Sequence, residues 1–189
     1  RDLLTEYSIP ASLESETSAS DTAVGRAILS LLKASRPTGS AAELIQYLRG
    51  PTGQDPDLVD QLEYQVVRTR TETARAAAEM HARNGGAMPP GWDEMTGQDT
   101  VATTVAGVAM ELAGNVLAHD TAGLPSDATV TEIRIAKAIG AACEELESMD
   151  DVNADGREIA SAITSGAVKT WAVPTTGAVR ISSPYSLRA

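Results

Sequence analysis

Phenylalanine is absent from this 189-residue chain, and aromatic residues make up only 3% of it. A core without large aromatic plugs must close through Ala, Val, Leu and Ile on helices that approach one another closely. Cysteine occurs once, at Cys143, which excludes an internal disulfide and leaves the redox compartment unmarked. Set among Ala141, Ala142 and Leu146, it reads as a small buried thiol. Only two histidines occur, His81 and His119, too few and too far apart for a tetrahedral zinc site with one cysteine. No serine sits in a Gly-x-Ser-x-Gly elbow, and no glycine-rich phosphate loop is present. No apolar run reaches 18 residues, so no segment reads as a membrane span. Lysine is scarce as well: three Lys stand against twelve Arg. That ratio hints at a GC-rich coding source and not at a function. The first residue is Arg rather than Met, so the sequence reads as a processed or partial product.

What the chain does have is acid. The net charge is −11 and the pI about 4.6. Its cations are scattered, apart from a cluster of Arg68, Arg70, Arg75 and Arg83. A nucleic acid would meet a repulsive field, which argues against polyanion binding as the main activity. The length suits one compact domain, able to bury roughly 70% of its unfolded surface without staples. Hydrophobic residues at 42% and charged residues at 22% are ordinary for a globular protein.

Along the chain, residues 1–19 combine Pro10 with a Ser/Thr/Glu-rich stretch and read as an extended arm. Ser20 or Asp21 then caps a helix to about Ser35, with Val24, Ile28, Leu31 and Leu32 on one stripe. Ser40 caps a shorter helix through Leu48. Asp55-Pro56 pairs an N-cap with proline at the first helical position and opens a long helix. Its seam runs Val59, Leu62, Val66, Thr69, Thr73, Ala76 and Met80, and Asn84-Gly85-Gly86 stops it. Arg68–Glu72, Arg75–Glu79 and Glu79–Arg83 form an i, i+4 ladder on its outer face. After the loop "AMPPGWDEM", Thr96 and Asp99 form a variant capping box for a helix to His119. Small residues on several sides of that helix mark it as the central one. At its carboxy end His119 meets free carbonyls. Thr129 and Glu132 make a capping box for a helix to Met149, with Ile135, Ile139, Cys143 and Leu146 inward. A last helix runs from about Asp155 to Lys169 and buries Ile159 and Ile163. The tail alternates apolar and polar residues around prolines and predicts an edge strand or hairpin.

Two acidic stretches carry the candidate chemistry. In "DVNADGREIASA", Asp151, Asn153, Asp155 and Gly156 fall at the first, third, fifth and sixth positions of a calcium loop. The six residues "DVNADG" resemble the start of a dockerin loop, which would imply calcium. The twelfth position, where a carboxylate closes such a loop, is Ala162, so any site there lacks a bidentate ligand. A plain helix cap by Asn153 or Asp155 explains the same residues. In "EELESMDD", Glu144, Glu147 and Asp151 share one helical face, at spacings that let magnesium bridge carboxylates. That pattern is similar to the first Glu-x-x-Glu motif of all-α nucleotide pyrophosphohydrolases. The family's second motif is missing here. "DDVNAD" also resembles the Asp-rich motif of terpene cyclases, although the chain is too short and too poor in aromatics to wrap a carbocation. His119-Asp120 lacks the further ligands of an HD-type phosphohydrolase.

These observations predict a mostly α-helical domain, a bundle of five or six helices over residues 20–170. It has an extended N-terminal arm (1–19) and an extended, partly β C-terminal arm (171–189). Both arms carry apolar residues on segments too Pro-rich to pack alone: Leu3, Leu4 and Ile9 at one end, and Trp171, Val173, Val179, Ile181, Tyr185 and Leu187 at the other. Such arms gain order by lying on a neighbour. Trp92, on its stiff loop, serves either as a recognition anchor or as a plug at the end of the bundle. The expected function is that of a non-enzymatic structural or interaction protein. It would be an oligomeric subunit whose partners are protein chains of the same or another type, in the cytoplasm or a virion. In style the chain is similar to phage head and neck proteins, and an accessory subunit of a cellular complex fits the sequence equally well. No cofactor is required by this reading. The alternatives use calcium or magnesium: a metal-dependent helical enzyme on Glu144, Glu147 and Asp151, or a calcium-binding interaction module on Asp151, Asn153 and Asp155.

Overall fold

The computed structural model describes residues 11–96, 101–120, 125–148, 156–165, 167–171 and 179–181. The chain is mostly α-helical. Its helices are α1 (Ala23–Ala34), α2 (Ala41–Leu48), α3 (Pro56–Thr69), α4 (Ala74–Arg83), α5 (Trp92–Thr96), α6 (Val101–His119), α7 (Asp127–Ser148) and α8 (Gly156–Ser165). Three short strands accompany them: β1 (Ala11–Ser18), β2 (Ala167–Trp171) and β3 (Val179–Ile181). One contiguous core runs from Ala19 to Ile163.

The central element is α1, where the sequence pattern suggests α6. Val24, Ile28 and Leu31 are fully buried, and eight of its twelve residues lie inside. α2, α6, α7 and α8 all pack around it. The small residues of α6 promised close approach on several sides, yet Gly107 and Gly114 face open space. α6 and α7 form the most extensive helix pair. They run antiparallel: Thr103 reaches Glu147 at one end, and Asp120 reaches Ser126 and Thr129 at the other.

Cap positions explain how the helices start. α1 is capped by Thr22, whose hydroxyl accepts from the Gly25 amide at 3.1 Å and donates to the Ala19 carbonyl. Ser20 and Asp21, the caps expected from sequence, belong instead to a 3-10 turn over Ala19–Asp21. Ser40 caps α2 as expected, and Glu43 completes a reciprocal box. Asp55 and Pro56 open α3. The box expected at Thr129 and Glu132 does not form, because α7 begins one turn earlier with Ser126 accepting from the Thr129 amide.

Glu132 is thereby free to act elsewhere. Its two carboxylate oxygens accept from the backbone amides of Ala23 and Val24, at 2.7 and 2.8 Å. A carboxylate on the N-terminal amides of a helix meets both unpaired donors and the positive end of the dipole. This clamp ties α7 to the start of the central helix across more than a hundred residues of sequence.

The long helix expected over residues 55–84 is two helices, and this is one reason eight α-helices are described rather than five or six. Arg70 adopts the left-handed conformation (φ 54°) and ends α3. The Thr71 amide donates to Val66 O at 3.0 Å and the Arg70 amide to Val67 O, which is a Schellman closure. The chain then runs beside residues 39–41: Ala41 N donates to Glu72 O, and Ala74 N to Gly39 O. Thr73 restarts the helix as the N-cap of α4. The break resets the phase, so α4 buries Ala74, Ala77, Ala78 and His81, while Thr69 and Thr73 are exposed. Of the predicted ladder, Arg68–Glu72 spans the break. Arg75–Glu79 persists as an exposed pair at 3.9 Å, and Arg83 Nε donates to the Glu79 carbonyl instead.

The arms also differ from expectation. α8 ends at Ser165 rather than near Lys169, and residues 167–171 form β2. β1 is the middle strand of a three-stranded sheet, antiparallel to β2 (Glu14 opposite Trp171) and parallel to β3 (Leu13 opposite Ile181). The described parts of the two arms therefore pair with each other within one chain. Leu3, Leu4, Ile9, Val173, Tyr185 and Leu187 lie outside the described residues.

Glu132→Ala removes both acceptors at the start of α1. The expected cost is about 2 kcal/mol, the scale of hydrogen bonds to a charged group. In thermal melts of a chain this long that corresponds to a drop of about 4–8 °C.

Candidate functional site

The acidic helix end does not assemble a metal cage among the described residues. Glu144 and Glu147 stand exposed on α7. Glu147 Oε1 accepts from Thr103 Oγ1 at 2.6 Å, so this carboxylate braces α7 against α6. Among the described residues no three His, Cys, Asp or Glu side chains converge. Asp151, Asn153 and Asp155 lie outside the described residues. Gly156, the glycine meant to turn a calcium loop, is the first residue of α8, and Arg157 to Ala162 continue that helix. Carbonyls on a helix point along its axis toward their own amides. The seventh-position carbonyl that a calcium loop requires is therefore committed to the helix.

Several polar or reactive groups are internal. Tyr47 is fully buried, and its hydroxyl donates to Pro90 O at 3.1 Å. Burial, with Glu111 nearby, raises this phenol far above its ordinary range. Trp92 is 5% exposed and belongs to the core, with Met95 buried on the same short helix. Its ring packs into its own molecule and leaves little surface outward for an anchor. Thr96, expected to cap α6, ends α5 and donates to Trp92 O. Cys143 is buried as expected; burial, with Glu147 and Glu144 nearby, pushes its thiol up to about 11 and leaves it unreactive at neutral pH. His119 behaves as its position suggests, its Nδ1 lying 2.7 Å from Asn115 O.

His81 is the group that sequence reasoning passed over. It is fully buried on α4, with Nε2 3.1 Å from Gln54 Oε1 and Nδ1 buried without a partner. Burial lowers its pKa below 6.5, so the imidazole is neutral in the fold. The ring sits against Gly86, where an added methyl group would overlap it. The phase shift after Arg70 turned this position inward, and nothing in the sequence pattern marks that break.

The outward surfaces carry a different signal. On α3, Tyr64 and Val67 are 66% and 72% exposed, three residues apart on one face. On α6, Met110 and Leu117 are 46% and 42% exposed, seven apart, so they too share a face. Gly107 and Gly114 lie on that same face of α6, with nothing within 4 Å of where a Cβ would stand. Trp171, Val179 and Ile181, the other expected interface residues, lie on strands β2 and β3, whose backbone alone is described. No helix among the described residues is long and apolar enough to cross a membrane. No protein family, curated protein or solved structure matches the chain.

Because His81 is neutral in the fold and protonates more readily when unfolded, the unfolded state binds more protons below pH 6.5. Stability should fall as pH drops through that range. The loss in melting temperature between about pH 7.5 and 5.5 should be larger in the wild type than in His81→Gln; equal losses would contradict this. Calcium or magnesium at about 1 mM, a level at which weak extracellular-type loops bind, should leave the melting temperature unchanged.

Proposed function

We propose that the protein is a structural or interaction protein, a subunit of an oligomeric assembly that does not act as an enzyme. The observation that carries this reading is the outer face of α6. Met110 and Leu117 repeat at one heptad on a helix packed along α7, and nearly half of each stays exposed. Gly107 and Gly114 interleave with them. A glycine within a helix costs about 1 kcal/mol against alanine. Inside this chain neither glycine has a neighbour that needs the space. A second helix lying in that shallow groove supplies the reason for both, since small residues let backbones approach closely. The partners are protein chains of the same or another type, and a phage or virion particle is one setting for such a subunit.

The arms support this reading less than the helices do. Their described strands find backbone partners in each other. Among the described residues the sheet's outer strands have no partner on their outer edges, the kind of edge that accepts an added strand.

Light scattering of the full chain should give a mass above that of one chain. Gly107→Ala and Gly114→Ala should each stabilise the dilute, dissociated chain by up to about 1 kcal/mol while weakening assembly. A strictly monomeric wild type, in which these substitutions raise the melting temperature and change nothing else, would overturn the reading.

A further inference from the structure

The exposed face of α3 is graded in charge along its length. Asp57 and Asp60 stand at its amino end, Gln61 and Tyr64 in the middle, and Val67 and Arg68 at its carboxy end, all exposed. Helical spacing puts these six on one side, opposite buried Val59, Leu62 and Val66. Arg70 adds a second cation just beyond the helix. The two acids and two arginines cancel, so the face is neutral on a chain of net charge −11. Asp60 is tied to Arg49 at 2.7 Å. Among the described residues Arg68 makes no ion pair, nor does Asp57.

We infer that this face binds a second copy of the chain, α3 against α3 in antiparallel, two-fold fashion. The occupant follows from the charges. A two-fold axis level with residues 62 and 63 sets the acidic end of one helix against the basic end of the other, which an isologous contact requires. Arg68 then meets Asp57 of the partner twice over, and the two Tyr64 side chains meet near the axis with Val67 flanking them. Other acidic surfaces of the same protein repel one another, whereas this one is self-complementary. The inference rests on the reading of the chain as an assembly subunit, but it uses a surface distinct from the α6 groove. One helix pair buries less than a standard interface, so the contact is weak and concentration-dependent.

Sedimentation velocity of the full chain over about a hundredfold range of concentration tests it. Wild type should associate, Val67→Glu should abolish the contact carried by α3, and Arg68→Asp should weaken it at least about tenfold by setting acids against acids. Combining Asp57→Arg with Arg68→Asp should restore association, since the pair is swapped in both copies. Unchanged association in these variants would overturn the α3 contact while leaving assembly through another face intact. A wild type monomeric throughout would overturn both. Melting curves provide the folding control. A marked drop in the melting temperature of Val67→Glu would place this face inside the chain's own fold and also overturn the inference.

Discussion

The fold depends on one carboxylate reaching a helix it does not belong to. Glu132, on α7, accepts from the first amides of α1, the helix around which the rest of the core is arranged. Helix amino ends leave donors that must be met, and at a buried end water meets them poorly. Thr22 supplies one acceptor as the helix's own cap, and Glu132 supplies two from α7. The register of the α6–α7 pair against α1 is set by this contact. Asp120 and Glu147 hold the two ends of that pair through hydroxyl and amide donors.

The second constraint is the break at Arg70. A non-glycine residue in the left-handed region costs about 1 kcal/mol. The break gains two backbone hydrogen bonds between residues 72–74 and 39–41, which dock the start of α4 on α2. It also fixes which side of α4 is buried, and so places His81 in the interior with one nitrogen unpartnered. On α3 the burial of Val59, Leu62 and Val66 leaves Tyr64, Val67 and Arg68 facing outward without a covering element among the described residues.

Surfaces of this kind suit recognition because they are rigid. Side chains on packed helices hold their spacing, so an apolar pair with charge at each end presents a defined pattern at little ordering cost. The candidate site was only partly legible beforehand. Cys143 and Trp92 could be read as core from their apolar and loop settings, and the seam of Val59, Leu62 and Val66 already left Tyr64 and Val67 outside it. What that seam did not show is how fully Tyr64 and Val67 stand exposed in the fold. Leu3, Leu4, Ile9 and the chain's other terminal apolar residues drew attention because local patterning makes their exposure easy to see.

Local signals decided the helical class, the caps at Ser40, Asp55 and the Asn84–Gly86 stop, and the inward stripes of α1, α7 and α8. All of these act within a few residues, through amide satisfaction and a 3.6-residue period. Tertiary structure alone decided the rest: the break at Arg70, the choice of α1 as centre, the diversion of Glu132 and the meeting of the two arms in one sheet. Each of these trades a locally favourable arrangement for a bond to a residue distant in sequence. A capping box and a continuous seam describe what a segment does alone, and here a contact made elsewhere in the chain was worth more.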